Sequence, residues 1–423
     1  METMLLCLAI ALIFGLIMSR FAKLINLPAV TAYLIGGLIL GPFVLGRLGL
    51  SGIGFNSLEQ VEGFKIISQT ALGFIAFAIG NEFRVSSLKT MGKQAITVGI
   101  FQAVITTVIV DAIMIVVYFI EPTIITLPAA ITLGAIAAAT APAATLMVVK
   151  QYKANGPLTK LLLMVVAIDD AVGLVLFSVS FGIATAIEAG HLNVVSVIVE
   201  PIIEIILSLA LGAVAGILLN QLEKYFHSRS KRMALSIGFV VLTVAVSMTE
   251  FKIGGVTCGF SLLLVCMMTG TVFCNICETS DELMDRVDRW TSPLNILFFV
   301  LSGAELNLNI LGDPLILLIG CVYIISRSTG KMVGAYVSCK ASHASEETTK
   351  YLGPTLLPQA GVALGMTIQA AELSDGAILR NVVLFSVLVY ELVGPTITKI
   401  ALTKAGEIDP SGKSNARTVN AIK

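Results

Sequence analysis

The chain has 423 residues, of which 56% are hydrophobic and 13% charged, with a mean hydropathy of +0.94. That composition excludes a soluble globular domain, which carries about twice the share of charge, and describes an all-α polytopic membrane protein. Basic and acidic residues both number 27, so the formal net charge is zero and no long-range field draws nucleic acid.

Apolar stretches near the roughly 20 residues that a helical span requires recur about 13 times along the chain. They lie near 4–22, 28–45, 65–83, 94–120, 127–149, 158–187, 194–219, 233–249, 255–274, 292–310, 314–339, 352–371 and 378–402. The first is too long for a removable leader and lacks a small-residue cleavage site after it, so it reads as a span. The fifth is interrupted at Ala137-Ala-Ala-Thr140-Ala141-Pro142, and the sixth carries Asp169 and Asp170 near its centre. The eleventh holds Arg327 and Lys331, and the twelfth is broken by Gly353-Pro354-Thr355-Leu-Leu-Pro358-Gln359-Ala-Gly361. The polar tail, 405–423, is too short for a regulatory domain.

With the N-terminus outside, alternate loops carry Arg20 and Lys23; Arg84, Lys89 and Lys93; Lys150, Lys153 and Lys160; Lys224, Arg229, Lys231 and Arg232; Arg286 and Arg289; Lys340 and Lys350. Only Arg47, Lys65, Lys252 and Arg380 fall on the other side, which places the C-terminus in the cytoplasm of a multi-pass cell-membrane protein. The seven cysteines, Cys7, Cys258, Cys266, Cys274, Cys277, Cys321 and Cys339, form no disulfide framework. Cys274 and Cys277 have CxxC spacing without a second pair or nearby His, so no zinc site and no cofactor is expected. His191, His227 and His343 fall in loops.

A charge near the bilayer centre costs at least about 2.5–3.5 kcal/mol, so two adjacent aspartates there mark cation or proton handling. Neighbours on a helix point about 100° apart, so Asp169 and Asp170 cannot both face one small ion. One can bind while the other is held by a partner. In low dielectric two such carboxylates are poorly tolerated as bare charges, which lets a proton and a cation compete for one site. Hard oxygen ligands suit Na+, Li+ or K+.

The chain also repeats itself. Phe77-Ala-Ile-Gly80-Asn-Glu82-Phe83 resembles Leu301-Ser-Gly303-Ala-Glu305-Leu306, and Ile168-Asp169-Asp170-Ala-Val-Gly173 resembles Tyr390-Glu391-Leu-Val-Gly394. Both matches are seven spans apart, an odd offset that puts the copies in opposite orientations. The same offset pairs the fifth span with the twelfth, the two broken by proline. Irregular backbone at membrane depth survives only inside protein or around a wet cavity, so the breaks predict a midplane site built on Ala141, Pro142, Pro358, Gln359 and Gly361.

Thr140 before Pro142, then Asp169-Asp170, then Ser326-Arg327-Ser-Thr-Gly330-Lys331, then Leu356-Leu-Pro358-Gln359-Ala-Gly361, resemble the monovalent cation:proton antiporter superfamily. The resemblance, from about Pro28 to Lys404, is to its paired-aspartate branch, similar to NhaA and NapA-type sodium/proton antiporters. It implies a homodimer with two broken, crossing helices, an elevator-like core near 65–187 and 292–402, and a dimerisation part near 1–50 and 194–274. By the match, Asp170 is the ligand of the alkali cation and exchanges it for a proton, Thr140 lines the site, and Asp169 pairs with a basic residue. Spacing from Gly330 aligns that base with Arg327, with Lys331 second. Arginine does not release its proton, so Arg327 would be a fixed counter-ion. Ala141 stands where some relatives carry an acidic or hydroxyl residue.

Asp111, Glu82, Glu305 and Glu204 read as interfacial or as partners of Arg327 and Lys331. Glu391, opposite Asp170 in the repeat, reads as a partner of Lys331 or Arg327. The runner-up function is a cation-coupled organic solute symporter. An intramembrane aspartyl protease would need aspartates on two facing helices, so the chain reads as a transporter and not an enzyme.

Overall fold

The expected apolar stretches fold as helices in a computed structural model, which describes residues 2–408 apart from 25–26, 50–51, 82, 123, 190–199, 250, 254–255, 307, 309–311 and 371–372. Glu82, His191 and residues 409–423 of the tail thus lie outside the described residues. In order come α1 (Glu2–Leu24), α2 (Ala29–Leu40), α3 (Leu58–Glu62), α4 (Lys65–Gly80), α5 (Val85–Ile120), α6 (Leu127–Ala138), α7 (Pro142–Tyr152) and α8 (Pro157–Ala189). After α9 (Glu200–Glu223) and α10 (Arg229–Ser247) come strands β1 (Phe251–Ile253) and β2 (Val256–Cys258). The chain continues as α11 (Leu262–Ile276), α12 (Ser280–Glu305), α13 (Pro314–Ala341), α14 (Glu346–Thr355), α15 (Gly361–Ala370) and α16 (Gly376–Lys404).

Local chemistry explains several starts. Thr126 accepts from Ala129 N at the head of α6, Ser261 from Leu264 N at α11, and Ser345 from Thr348 N at α14. Asp313 accepts from Leu315 N and Ile316 N ahead of Pro314. Each side chain satisfies a donor that the first helical turn leaves open.

Several boundaries differ from the hydropathy reading, among them the fourth, whose helix α5 starts at Val85 and not 94. The ninth stretch was expected from 255, but the helix starts at Leu262, because β1 and β2 pair antiparallel ahead of it. The tenth was expected from 292, whereas α12 begins at Ser280. Its first turns are charged: Glu282 pairs with Arg286 one turn on at 3.0 Å, Asp288 with Lys150 at 2.7 Å, and Asp281 with Arg84. Acids in the first turn suit the helix dipole, yet hide the helix from a search for apolar runs.

Among the described residues nine helical stretches are long and apolar enough to cross a membrane, counting α6 and α7 as one, and α4 and α11 are shorter apolar helices. Their outward faces carry large apolar side chains, among them Leu5, Ile13, Ile17 and Phe21 on α1, Phe101, Val108 and Phe119 on α5, and Leu318 and Ile325 on α13. Helices apolar on both faces belong in lipid.

The packing sorts the helices into two groups. α5 packs on α13, α6 and α8, while α14 and α15 pack on α16. In the other group α2 packs on α1 and α12, α4 on α11 and α12, and α9 on α11. Among the described residues contact between the groups is thinner, and runs along a seam where α7 meets α2 and α4, α16 meets α2, and α8 meets α9 and α11, with the Lys150–Asp288 ion pair joining α7 to α12. The expected core range beginning at 65 and resuming at 292 therefore includes two helices, α4 and α12, that pack with the opposite group.

Glycines make those helix pairs close. A methyl group built on Gly37 would land on the Val300 carbonyl, and one on Gly303 would land on that of Leu34, locking α2 to α12 from both sides. Gly270 stands in the same relation to Phe77 O, and Gly80 to Met267 O, locking α11 to α4. The repeat that aligns Gly80 with Gly303 exchanges these two pairs, so the inverted repeat is visible in the packing as well as in the sequence.

Replacing Gly37 or Gly270 by Ala forces its pair apart and costs about 1–3 kcal/mol, as overpacking does elsewhere. Gly238→Ala on α10, where nothing lies within 4 Å, is the control. Melting of the detergent-solubilised protein should fall by several degrees in the first two and stay unchanged in the third.

Candidate functional site

The two helix breaks meet at the centre of the first group. α6 stops at Ala138 and α7 starts at Pro142; α14 stops at Thr355 and α15 starts at Gly361. Proline at the first position of α7 removes a donor that a helix start leaves unpaired in any case. Ala141 N donates to Pro358 O at 2.8 Å, so each break bonds to the other.

A helix that stops inside protein leaves its last carbonyls without partners. On α6 those oxygens belong to Ile136, Ala137, Ala138 and Ala139, and each receives a side-chain donor. Arg327 Nε donates to Ala137 O at 3.0 Å, and its Nη2 to Ala139 O at 2.7 Å. Lys331 Nζ donates to Ala138 O at 2.5 Å, and Gln359 Nε2 to Ile136 O at 3.1 Å. The third arm of Arg327, Nη1, crosses to Leu357 O in the second break at 2.7 Å. Its guanidinium lies over the Tyr390 ring, 4.5 Å from the centroid. Gln359 is held in turn by Tyr323 and Ser386, at 3.2 and 3.0 Å.

The aspartates on α8 diverge as the helix geometry requires. Asp169, fully buried, turns toward α5, α13 and the first break. Thr140 Oγ1 donates to its Oδ2 at 2.7 Å, Lys331 Nζ reaches the same oxygen at 2.9 Å, and Gln102 Nε2 donates to Oδ1. Gln102 Oε1 and Thr140 Oγ1 also accept from Lys331, at 3.1 and 2.9 Å.

Asp170 turns the other way, toward the seam. It is 5% exposed, and its Oδ1 has no hydrogen-bond partner. Apolar side chains surround it on one side, among them Ala76, Ile79, Leu264 and Met267. On the other side it forms part of the wall of a cavity of about 240 Å3, whose remaining polar lining is Glu204, Ser261 and Gln369. A carboxylate with an unpartnered oxygen can take a proton or a hard cation.

The expected pairing of Asp169 with Arg327 is corrected by this geometry. Arg327 spends its fork on backbone carbonyls, which its planar set of donors suits, and Lys331, one turn along α13, holds the aspartate. Glu391 pairs with neither base: it forms no ion pair among the described residues, and its Oε2 is buried without a partner. Glu204, Asp111 and Glu305 likewise form no ion pair with Arg327 or Lys331. Instead Glu204 lines the cavity, and Asp111 lies against Gly134 with a buried, unpartnered Oδ1. Sequence reasoning missed Gln102, whose signal was an amide inside an otherwise apolar run, and it passed over Glu204 as structural.

The family described as sodium/hydrogen exchanger, transmembrane, matches the chain over residues 8–404. Two solved structures of the sodium proton antiporter MjNhaP1 from Methanocaldococcus jannaschii share the fold. One, at pH 8, superposes with a TM-score of 0.67 at 18% identity, covering 96% of this chain and 97% of that one. The other, from electron microscopy, reaches 0.74 at 19% identity, covering 95% and 98%. Among curated protein sequences none matches. A family match along nearly the whole chain, on a fold shared from end to end, makes this protein a member of the sodium/hydrogen exchanger family of membrane cation:proton antiporters.

Proposed function

We propose that Asp170 is the residue at which the proton and the transported alkali cation compete. The observation that carries this is its buried carboxylate, one oxygen of which has no partner, in the wall of the cavity that Glu204, Ser261 and Gln369 also line. Asp169 is unsuited to that role, because Thr140, Gln102 and Lys331 already occupy both of its oxygens. Either ligand neutralises Asp170, and only the neutralised site crosses the low-dielectric seam at small cost. That condition couples the two fluxes. Na+ is the substrate that family membership favours, and Li+ and K+ share its hard-ligand chemistry.

In this reading α5–α8 and α13–α16 form the moving core. α1, α2, α4 and α9–α12 form the scaffold through which two copies associate as a homodimer. The sparse seam between the groups supports an elevator-like movement of one against the other. The basic loops support a plasma-membrane orientation with the N-terminus outside.

Lys331 adds a possibility that Arg327 would have closed. A buried lysine can release its proton, whereas an arginine effectively cannot. When the core binds a cation, Lys331 can give its proton to the transport cycle and leave Thr140 and Gln102 to support Asp169.

Proteoliposomes test the assignment. Asp170→Asn should abolish Na+-driven proton flux, and retained flux would remove Asp170 from the role. Lys331→Gln should leave exchange measurable while membrane potential no longer drives it, since one fewer proton accompanies each cation; unchanged voltage dependence would make Lys331 a fixed counter-ion. Arg327→Lys should act on stability, because it strands buried carbonyls at about 1–3 kcal/mol each and should lower the melting temperature by several degrees or more.

A further inference from the structure

Asp170 has a counterpart across the repeat. Glu391, in the middle of α16, is 7% exposed, and its Oε2 has no partner, just as Asp170 Oδ1 has none. Each acid is followed three residues later by a glycine near a helix break: a side chain on Gly394 would press on Pro358, and one on Gly173 would come into ordinary contact with Met366 and Ala139. Asp170 faces α4 and α11 through Ala76, Ile79 and Leu264. α16 packs instead on α2, the helix that glycines lock to α12. These are the two helix pairs that the repeat exchanges.

The electrostatic neighbour of Glu391 is Glu305, exposed at the end of α12, which in turn has Glu62 and Lys65 beside it. Other charges on the elements around α16 are committed or distant. On α13, Arg327 and Lys331 hold the α6 carbonyls and Asp169, and Lys340, in the last turn, sits over the Tyr336 ring. α2, α6 and α15 carry no charged residue. Lys150 on α7 pairs with Asp288, while Glu346, Glu347 and Lys350 lie on α14 ahead of its break. On α16 itself, Arg380 and Lys404 lie near the two ends, and Lys399 sits over the Tyr152 ring.

We propose that Glu391 is a second proton-binding site of the antiporter, repeat-related to Asp170 and off the cation cavity. A buried carboxylate with an open oxygen, an acid for a neighbour and no base beside it is satisfied by a proton. The cavity that reaches Asp170 is lined by Glu204, Ser261 and Gln369 and does not include Glu391, so the site takes no part in cation entry. Because α16 meets α2 across the seam, the proton on Glu391 adjusts how the core seats against the scaffold. Exchange thereby gains a pH dependence separate from competition at Asp170.

Infrared difference spectra of the reconstituted full chain between acid and alkaline pH, without Na+, test this independently of transport. Wild type should show the carbonyl stretch of a protonated carboxylic acid that Asp170→Asn keeps and Glu391→Gln loses, with Glu391→Asp retaining it at a displaced frequency. Glu305→Gln removes a neighbouring negative charge and should move the midpoint of that band down by about 0.5–1 pH unit. Proton flux through Glu391→Gln should peak at a pH displaced from wild type by about half a unit or more. Superimposable spectra for Glu391→Gln and wild type would overturn the proposal. Should Glu391→Gln fail to fold, an unmoved midpoint in Glu305→Gln would overturn it equally.

Discussion

Everything at the centre of this protein depends on how the C-terminal end of α6 is neutralised inside a membrane. Four consecutive carbonyls end there, far from water, and together they carry the negative end of a helix dipole. Arg327 and Lys331, one turn apart on α13, supply most of the donors, and Gln359 supplies the rest. Without those donors the break could not exist at that depth.

The same neutralisation divides labour among the charges. Arg327, fixed in its protonation and forked in shape, holds backbone to backbone across the two breaks. Lys331 is divided between Ala138 O and Asp169, so the ion pair is built into the helix cap. A buried pair of this kind contributes little net stability, yet removing one member leaves a stranded charge. In the proposed site Asp169 is then the support, while its neighbour, turned about 100° away, has an oxygen without a partner.

Much of this was legible in the chain. The apolar stretches, the proline breaks and the aspartate pair are local properties of sequence, and the breaks and the pair fall in helices where expected, while several helix starts are displaced. Two kinds of feature were not. The start of α12 is charged, so a search for apolar runs could not find it, although its i,i+4 pairing of Glu282 with Arg286 was available to a search for helical charge patterns. The choice between Arg327 and Lys331 was harder. Both lie on one face of α13, and a single helical turn decides which of them meets Asp169 and which meets bare carbonyls. Spacing within one segment cannot register two segments against each other at that scale. Glu391 shows the same limit: its place in the repeat was readable, but the absence of a base beside it was a matter of packing.

The bond from Ala141 N to Pro358 O joins the two halves of the repeat at the points where each is weakest. Two interrupted helices would ordinarily be two hinges, each free to bend by itself. Tied at their gaps and bridged again by Arg327, they behave as a truss whose crossing members are pinned at one node. A truss of that kind carries displacement from one face of the bilayer to the other without flexing at the node. The softest lines in the molecule then run along the seam, where α8 meets α9 and α11 and where α16 meets α2.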